Sequence, residues 1–377
     1  MRFLHTADLH LGKMLNDVAF LDDQKIVLAQ MIDIARQENV DAVLIAGDVY
    51  QKASPSAEAM AAFDAFISQL TALKIRVFII SGNHDSAQRI SYFSALIKDA
   101  GVYVSEAFDG TLQCVTLKDE YGDVHVHLLP FLRPSTVRRY LPEVKADSYQ
   151  EAVEAVLSNT QVDEGARNVI LCHQFITGAQ ISDSEERMIG GLDQISADVF
   201  SAFDYVALGH LHQPQRLTRD TLRYAGSPLK YSFSEVTHKK SVTIIEMKEK
   251  GNVAVKTVPL TPVRDMRLIE GKLEEILALP PSEDYVWVTV TDEIVPPDAK
   301  LDIAMVFPNM MKFSIVNSRT KTDIDVLSTQ EMETKDVMQL FRDFYRLQNN
   351  DQEPTDAHMD VLGAVIKRLE EKRDETR

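Results

Sequence analysis

The chain has 377 residues, 45% hydrophobic and 26% charged, which excludes wholesale disorder and implies two domains with an appendage. Its net charge of −17 argues against a protein that coats nucleic acid by bulk electrostatics, yet leaves phosphate chemistry open, because bound divalent cations supply positive charge locally. No apolar run reaches the ~18 residues of a membrane span, the opening Met1-Arg2-Phe3-Leu4-His5-Thr6 lacks a signal peptide's apolar stretch, and Cys114 and Cys172 are too few for a disulfide framework, so a cytoplasmic home is expected.

Phe3-Leu4 opens a short strand. Residues 24–38 carry Ile26, Val27, Met31, Ile34 and Ala35 at helical spacing, and Val43-Leu44-Ile45-Ala46 is an apolar run ending in Gly47-Asp48. Residues 56–73 predict a second helix, and Arg76-Val77-Phe78-Ile79-Ile80-Ser81 is a β-branched run that stops at Gly82. Strand, helix, strand, helix, strand is the order of an α/β sandwich with parallel strands. Runs at 124–129, 168–172 and 205–208 repeat the theme. From 222 to 260 the pattern predicts consecutive strands (242–247 and 253–258) that close the sheet antiparallel.

Thr261-Pro262 marks a boundary. Beyond it, a short helix at 273–279, a strand at 286–290 and another near 313–316 describe a small α+β module reaching about residue 325. Two helices close the chain. Val337, Leu340, Phe341, Phe344 and Leu347 line one face of the first, and Asn349-Asn350-Asp351-Gln352-Glu353-Pro354 breaks it. Thr355 or Asp356 is placed to cap the second, which carries Met359, Leu362, Val365, Ile366 and Leu369 on one side.

Polar residues of metal-ligand type fall directly after the apolar strands. Asp8 and His10 follow the first, Asp48 the second, and Asn83, His84 and Asp85 the third; His173 ends a fourth, and His210 and His212 follow a fifth. In an open α/β sheet the carboxyl ends of parallel strands face one crevice, so these turns deliver their side chains to one edge. A pair of divalent ions ~3.5–4 Å apart needs a bridging carboxylate with neutral nitrogen and oxygen donors around it. Mixed His and Asp donors suit manganese, iron or zinc better than magnesium or calcium. Any one of these histidines alone reads as an ordinary polar residue; five of ten in this position do not. His5, His125, His127, His238 and His358 lack the placement and read as structural.

Asp8-x-His10, Gly47-Asp48, Gly82-Asn83-His84-Asp85, a lone His173 and Gly209-His210-x-His212 resemble, in order, the signature of calcineurin-like metallophosphoesterases. Longer stretches resemble the SbcD family, the nuclease subunits of bacterial SbcC–SbcD complexes. These are the opening as far as Gly12, Gly47-Asp48-Val49-Tyr50, Cys172-His173-Gln174-Phe175, Ile181-Ser182-Asp183-Ser184-Glu185 and Tyr224-Ala225-Gly226-Ser227-Pro228-Leu229. The likeness is close over roughly the first 230 residues and one of architecture beyond.

The resemblance implies a four-layer α/β/β/α metallophosphoesterase sandwich over residues 1–260, a small α+β capping domain at 261–325 and a C-terminal helical pair at 326–377. It implies one ion held by Asp8, His10, Asp48 and His212, and another by Asp48, Asn83, His173 and His210, with Asp48 as the bridge. His84 matches the family's general acid, which is not a ligand. The activity implied is a manganese-dependent DNA nuclease acting in repair, recombination and replication. It would combine a double-strand exonuclease of three-prime to five-prime polarity with endonuclease action on hairpins and single strands. Two Mn²⁺ ions, a homodimer, and an SbcC-type ATPase in a complex of two chains of each kind are implied with it, near the nucleoid. A stand-alone metallophosphodiesterase on small substrates is the alternative, against which the extra C-terminal modules speak. A non-catalytic scaffold is a third reading, against which the full donor set with His84 speaks.

Weaker features are Arg133, Arg138 and Arg139 beside Phe131 and Tyr140, and Arg216, Arg219 and Arg223, each a solvated arginine or a DNA-backbone contact. Lys239-Lys240 suggests a hairpin turn, and Cys172 a buried structural thiol. The C-terminal helices either pack on the body or bind a partner, and the resemblance favours docking on SbcC. Helices near 56–73 and 86–98 either pair two copies of the chain or belong to its core.

Overall fold

A computed structural model describes residues 1–182, 194–318, 337–349 and 352–374. Asp183-Ser184-Glu185 and the expected domain boundary at 325/326 lie outside the described residues. The chain divides into two compact units, Met1–Met266 and Arg267–Arg377.

The first unit holds two six-stranded sheets. In one, the strands run Val253–Pro259, Ser241–Met247, Arg2–Thr6, Ala42–Ala46, Arg76–Ile80 and Val102–Val104 from edge to edge. Arg2–Thr6 through Val102–Val104 are parallel, and Ser241–Met247 pairs antiparallel with Arg2–Thr6, as the late strand-rich stretch predicts. The other sheet runs Gln215–Arg216, Leu222–Tyr224, Tyr205–Leu208, Arg167–Cys172, Gly122–Leu129 and Gln113–Asp119. Leu222–Tyr224 departs from expectation by lying parallel to Tyr205–Leu208.

Ala42–Ala46 and Arg167–Cys172 are buried at every position, which is why 42–46 and 169–172 read as unbroken apolar runs rather than alternating ones. Phe3, Leu44 and Phe78 of one sheet meet Val126, Leu171 and Tyr205 of the other between the sheets. Each fully buried apolar side chain of this size contributes ~1.5–3 kcal/mol. The second sheet's outer face is covered by helices Pro134–Tyr140 and Tyr149–Ser158 through Val137, Val153 and Val156. Helices Leu21–Gln37 and Ala57–Ala72 pack on each other, and the latter on Arg76–Ile80. The Ser56 hydroxyl caps the latter by accepting from Ala59 N–H at 3.2 Å. The result is a four-layer α/β/β/α sandwich.

The helix expected near 86–98 is instead two single turns, Ala87–Ile90 and Ser94–Ile97. Phe93 takes a left-handed conformation between them (φ 67°), which interrupts the helical hydrogen-bond ladder. Cys172 is fully buried, and burial pushes its thiol well above the usual range.

In the second unit a three-stranded sheet, Met266–Gly271, Tyr285–Val290 and Met310–Ile315, encloses Val286, Val288, Ile303 and Phe307. The last two strands are parallel, so the chain must cross over between them, and helix Ala299–Val306, absent from the sequence reading, makes that crossing. Helices Val337–Gln348 and Asp356–Asp374 follow, with the Thr355 hydroxyl accepting from His358 N–H at 3.4 Å as the cap of the second. No helix among the described residues is long and apolar enough to cross a membrane.

Candidate metal centre

The loops that follow the parallel strands of both sheets meet at one edge. The turns after Arg2–Thr6 and Ala42–Ala46 run side by side, with Asp8 N–H on the Gly47 carbonyl (3.1 Å) and His10 N–H on the Asp48 carbonyl (2.9 Å). Gly209 N–H bonds the Cys172 carbonyl at 3.0 Å. Approach between the sheets is close enough that a Cβ on Gly209 would fall 1.9 Å from the Ala46 carbonyl oxygen, and within the first sheet one on Gly82 would fall 2.1 Å from Asp48 Oδ1. Glycine is required at both for lack of space. Asp8, His10, Asp48 and His210 all have positive φ (53°, 45°, 50° and 104°), conformations that cost energy in most residues and gather at functional sites.

All seven expected ligands and His84 converge here. Asp8, His10 and His212 offer donor atoms within 4.8 Å of one another, as do Asp8, Asp48 and His173, and also His10, Asp48 and His84. His10 Nε2 lies 3.1 Å from His212 Nε2, and Asn83 Oδ1 lies 3.1 Å from both His173 Nε2 and His210 Nδ1. Asp48 Oδ1 accepts from His84 N–H at 2.9 Å, while its Oδ2 stands 3.6 Å from His10 Nε2 and 3.4 Å from His173 Nε2. Neighbouring donors ~2.1 Å from one shared ion stand roughly 3.0–3.4 Å apart. The donor set therefore fits divalent cations in chemistry and in spacing, and Asp48 Oδ2 faces both groups.

Buried, ordered contacts aim these side chains. His173 Nδ1–H donates to the Ala46 carbonyl at 2.8 Å, turning Nε2 toward Asp48. His84 Nδ1–H donates to the Gln51 carbonyl at 3.2 Å, which leaves Nε2 for other use. Asp85 accepts from the backbone N–H groups of Gly82, Val49 and Tyr50 at 2.9–3.1 Å and so ties two ligand loops together. Burial and the charge of Asp48 nonetheless push Asp85 up to about 7.

Burial holds His10 far below the usual imidazole range and His210 down at about 3, so both are neutral, the form that ligates metals. Burial raises Asp8 to about 7 against the pull of neighbouring His173 and His212. Asp48 goes the other way: burial opposes its charge, but His173 and His10 outweigh that and keep it ionised. His173 is raised to about 9 by Asp48 despite burial, so a cation binding there displaces a proton.

Two residues missed in the sequence reading complete the site. Glu235, fully buried, accepts from His212 Nδ1–H at 3.0 Å and from Lys240 Nζ at 2.5 Å. Lys240 also donates to the His212 carbonyl and to Ser227 Oγ, both at 2.8 Å. The Lys239-Lys240 pair is thus no hairpin turn; Lys240 is buried ahead of strand Ser241–Met247 because its charge answers Glu235. Burial would raise the Glu235 carboxyl, but Lys240 and His212 hold it below the usual range. Glu235→Gln keeps the shape and removes the charge, and is expected to weaken divalent-cation binding ~10–100-fold by calorimetric titration. Unchanged affinity in a folded variant would show that Glu235 only fills space.

Comparison with known proteins agrees with this geometry. Residues 1–214 match the calcineurin-like phosphoesterase family, a span that contains every donor residue and His84. Residues 262–349 match the family described as type 5 capsule protein repressor C-terminal domain. The SbcD component of the SbcCD nuclease of Staphylococcus epidermidis is 31% identical over 355 residues, covering 92% of this chain and 93% of its own. The chain belongs to the SbcD family of calcineurin-like phosphoesterases.

An SbcD-family chain with this domain is a dinuclear metal-dependent phosphodiester hydrolase. Among solved structures, a dimetal phosphatase from Danio rerio aligns at 14% identity over 70% of this chain and 99% of its own, with a TM-score of 0.42. The phosphoesterase Yfce from E. coli aligns at 12% identity over 69% of this chain and 100% of its own, with a TM-score of 0.27.

Proposed function

We propose that this chain is the manganese-dependent DNA nuclease subunit of an SbcC–SbcD-type complex. The observation that carries the reading is the convergence of seven donor side chains and His84 on one edge of an SbcD-family sandwich. Two divalent cations, when bound, would supply Lewis-acid activation of the attacking water and of the phosphate.

Asp8, His10, Asp48 and His212 would hold one, and Asp48, Asn83, His173 and His210 the other. Asp48 would be the shared donor, since its Oδ1 accepts from His84 N–H while its Oδ2 lies near both His10 Nε2 and His173 Nε2. Glu235 and Asp85 keep the donors in place by hydrogen bonds that need no movement during turnover. His84, steadied through Nδ1, carries a proton on Nε2 to the leaving oxygen.

The partner reading is an SbcC-type ATPase in a complex of two chains of each kind, engaged by residues 326–377, with residues 261–325 as the capping domain. Phe344, Val361 and Val365 on that helical pair are exposed, which a docking surface requires. Met60, Tyr92, Phe93 and Leu96 are likewise exposed beside the turns at 87–97, and support a homodimer through that face. Repair, recombination and replication of DNA near the nucleoid are the processes such a complex serves, through double-strand exonuclease action with three-prime to five-prime polarity and single-strand or hairpin endonuclease action.

The alternative is a stand-alone metallophosphodiesterase on small substrates. The test sets end-labelled duplex and hairpin DNA beside bis(p-nitrophenyl) phosphate, with Mn²⁺, with Mg²⁺ and with a chelator, each with and without the ATPase. DNA cleavage that needs Mn²⁺ is the expected result. Turnover of the small diester with DNA intact in every condition would move the function to the alternative.

A further inference from the structure

Beside the donor cluster lies a polar crevice of about 440 Å³, with Asn83 and Asp85 on one wall and Phe131, Arg133, Arg139 and Tyr140 on the other. The second wall is built onto the ligands. The Phe131 ring lies 6.3 Å from the His173 ring and 6.5 Å from the His210 ring, within 25° of parallel to the latter. Its backbone N–H is held by the Ser81 carbonyl at 2.9 Å. The Arg133 guanidinium sits over Phe131 at 5.9 Å, and that of Arg139 over Tyr140 at 5.5 Å.

Of the six arginines singled out in the sequence, three are occupied elsewhere and a fourth lies outside the crevice. Arg138 donates to the Ala146 carbonyl at 2.5 Å, Arg216 pairs with Asp220 at 2.8 Å, and Arg219 donates to the Phe200 and Phe203 carbonyls at 2.9 and 2.7 Å. Arg223 is half-buried near His5 and does not line the crevice. Arg133 and Arg139 are exposed and pair with no carboxylate among the described residues. In a chain of net charge −17, two unpaired guanidiniums on aromatic shelves beside a metal ligand mark a place for an anion. The Tyr140 ring, 42% exposed, stands with them.

We propose that this crevice holds the single-stranded nucleotides adjoining the scissile phosphate, with Arg133 and Arg139 on their phosphates and the Tyr140 ring under a base. It rests on the DNA-nuclease reading above. The guanidinium fork matches phosphate oxygens, and an aromatic face takes any base, so the contact is strong without reading sequence. The volume is on the scale of a single nucleotide.

The test uses the full chain with Mn²⁺, a fluorescein-labelled single-stranded oligonucleotide for cleavage, and its phosphorothioate form for binding. Arg133→Ala and Arg139→Ala are each expected to raise KM for the oligonucleotide and to flatten the salt dependence of binding by about 0.7 in log–log slope. Tyr140→Ser is expected to weaken binding roughly 5–150-fold, with Tyr140→Phe restoring it. Lys118→Ala removes an exposed cation from the far-edge strand Gln113–Asp119 and is the charge control. If the wild type cuts the oligonucleotide and both arginine variants keep its KM and salt slope, the crevice proposal is overturned and the nuclease reading stands. If the wild type hydrolyses bis(p-nitrophenyl) phosphate but neither binds nor cuts DNA, with or without the ATPase, the nuclease reading falls and takes the crevice with it.

Discussion

Asp48→Asn is expected to lower phosphodiester turnover by at least ~10³-fold and to reduce the number of cations bound per chain. Asparagine is the sharper variant for two reasons. It tolerates the left-handed backbone that Asp48 adopts (φ 50°) better than alanine does, and its side-chain oxygen still accepts from His84 N–H. What it lacks is the charged Oδ2 that stands between His10 Nε2 and His173 Nε2. A neutral amide cannot bridge two cations, so both donor groups lose their shared member at once. Cation stoichiometry by titration and melting temperature by calorimetry separate this from unfolding. A folded Asp48→Asn chain that binds as many cations as the wild type would remove Asp48 from the bridging position.

The donor positions are legible in the sequence because parallel strands leave a local trace: a short apolar run, then a turn with a ligand-type residue. Five such traces, ending at Asp8, Asp48, Asn83, His173 and His210, need only the topological rule that parallel strands share a carboxyl edge to be assembled. Glu235 and Lys240 leave no such trace. Glu235 reaches His212 across 23 positions, and only the fold sets a buried carboxylate against that imidazole. Isolated in the sequence, Lys239-Lys240 carries the pattern of a solvated turn, and burial of one lysine is decided by its partner.

Backbone conformation is the other thing hidden from pattern. Residues 86–98 have helical composition, yet Phe93 turns left-handed and divides them, an outcome set by packing rather than propensity. Helix Ala299–Val306 is missed for a related reason, since Pro296-Pro297 reads as a turn and eight residues are too few for a clear period. That helix becomes necessary only once Tyr285–Val290 and Met310–Ile315 are known to be parallel.

His84→Ala carries the second large effect, a fall in kcat of ~10²–10⁴-fold with cation stoichiometry retained. The position of His84 allows two roles, because its ring offers a donor atom within 4.8 Å of those of His10 and Asp48 and lies edge-on to His10 at 4.9 Å. A ligand and a general acid respond differently to the leaving group. p-Nitrophenolate departs without a proton, whereas the alkoxide of a DNA strand needs one. Loss of a general acid should therefore depress DNA cleavage far more than hydrolysis of bis(p-nitrophenyl) phosphate. Loss of a ligand should depress both substrates alike and weaken cation binding. The hydrogen bond from Nδ1 to the Gln51 carbonyl favours the first outcome, since it fixes the ring while leaving Nε2 able to carry the transferable proton. Equal losses on both substrates, with fewer cations bound, would instead make His84 part of the metal site.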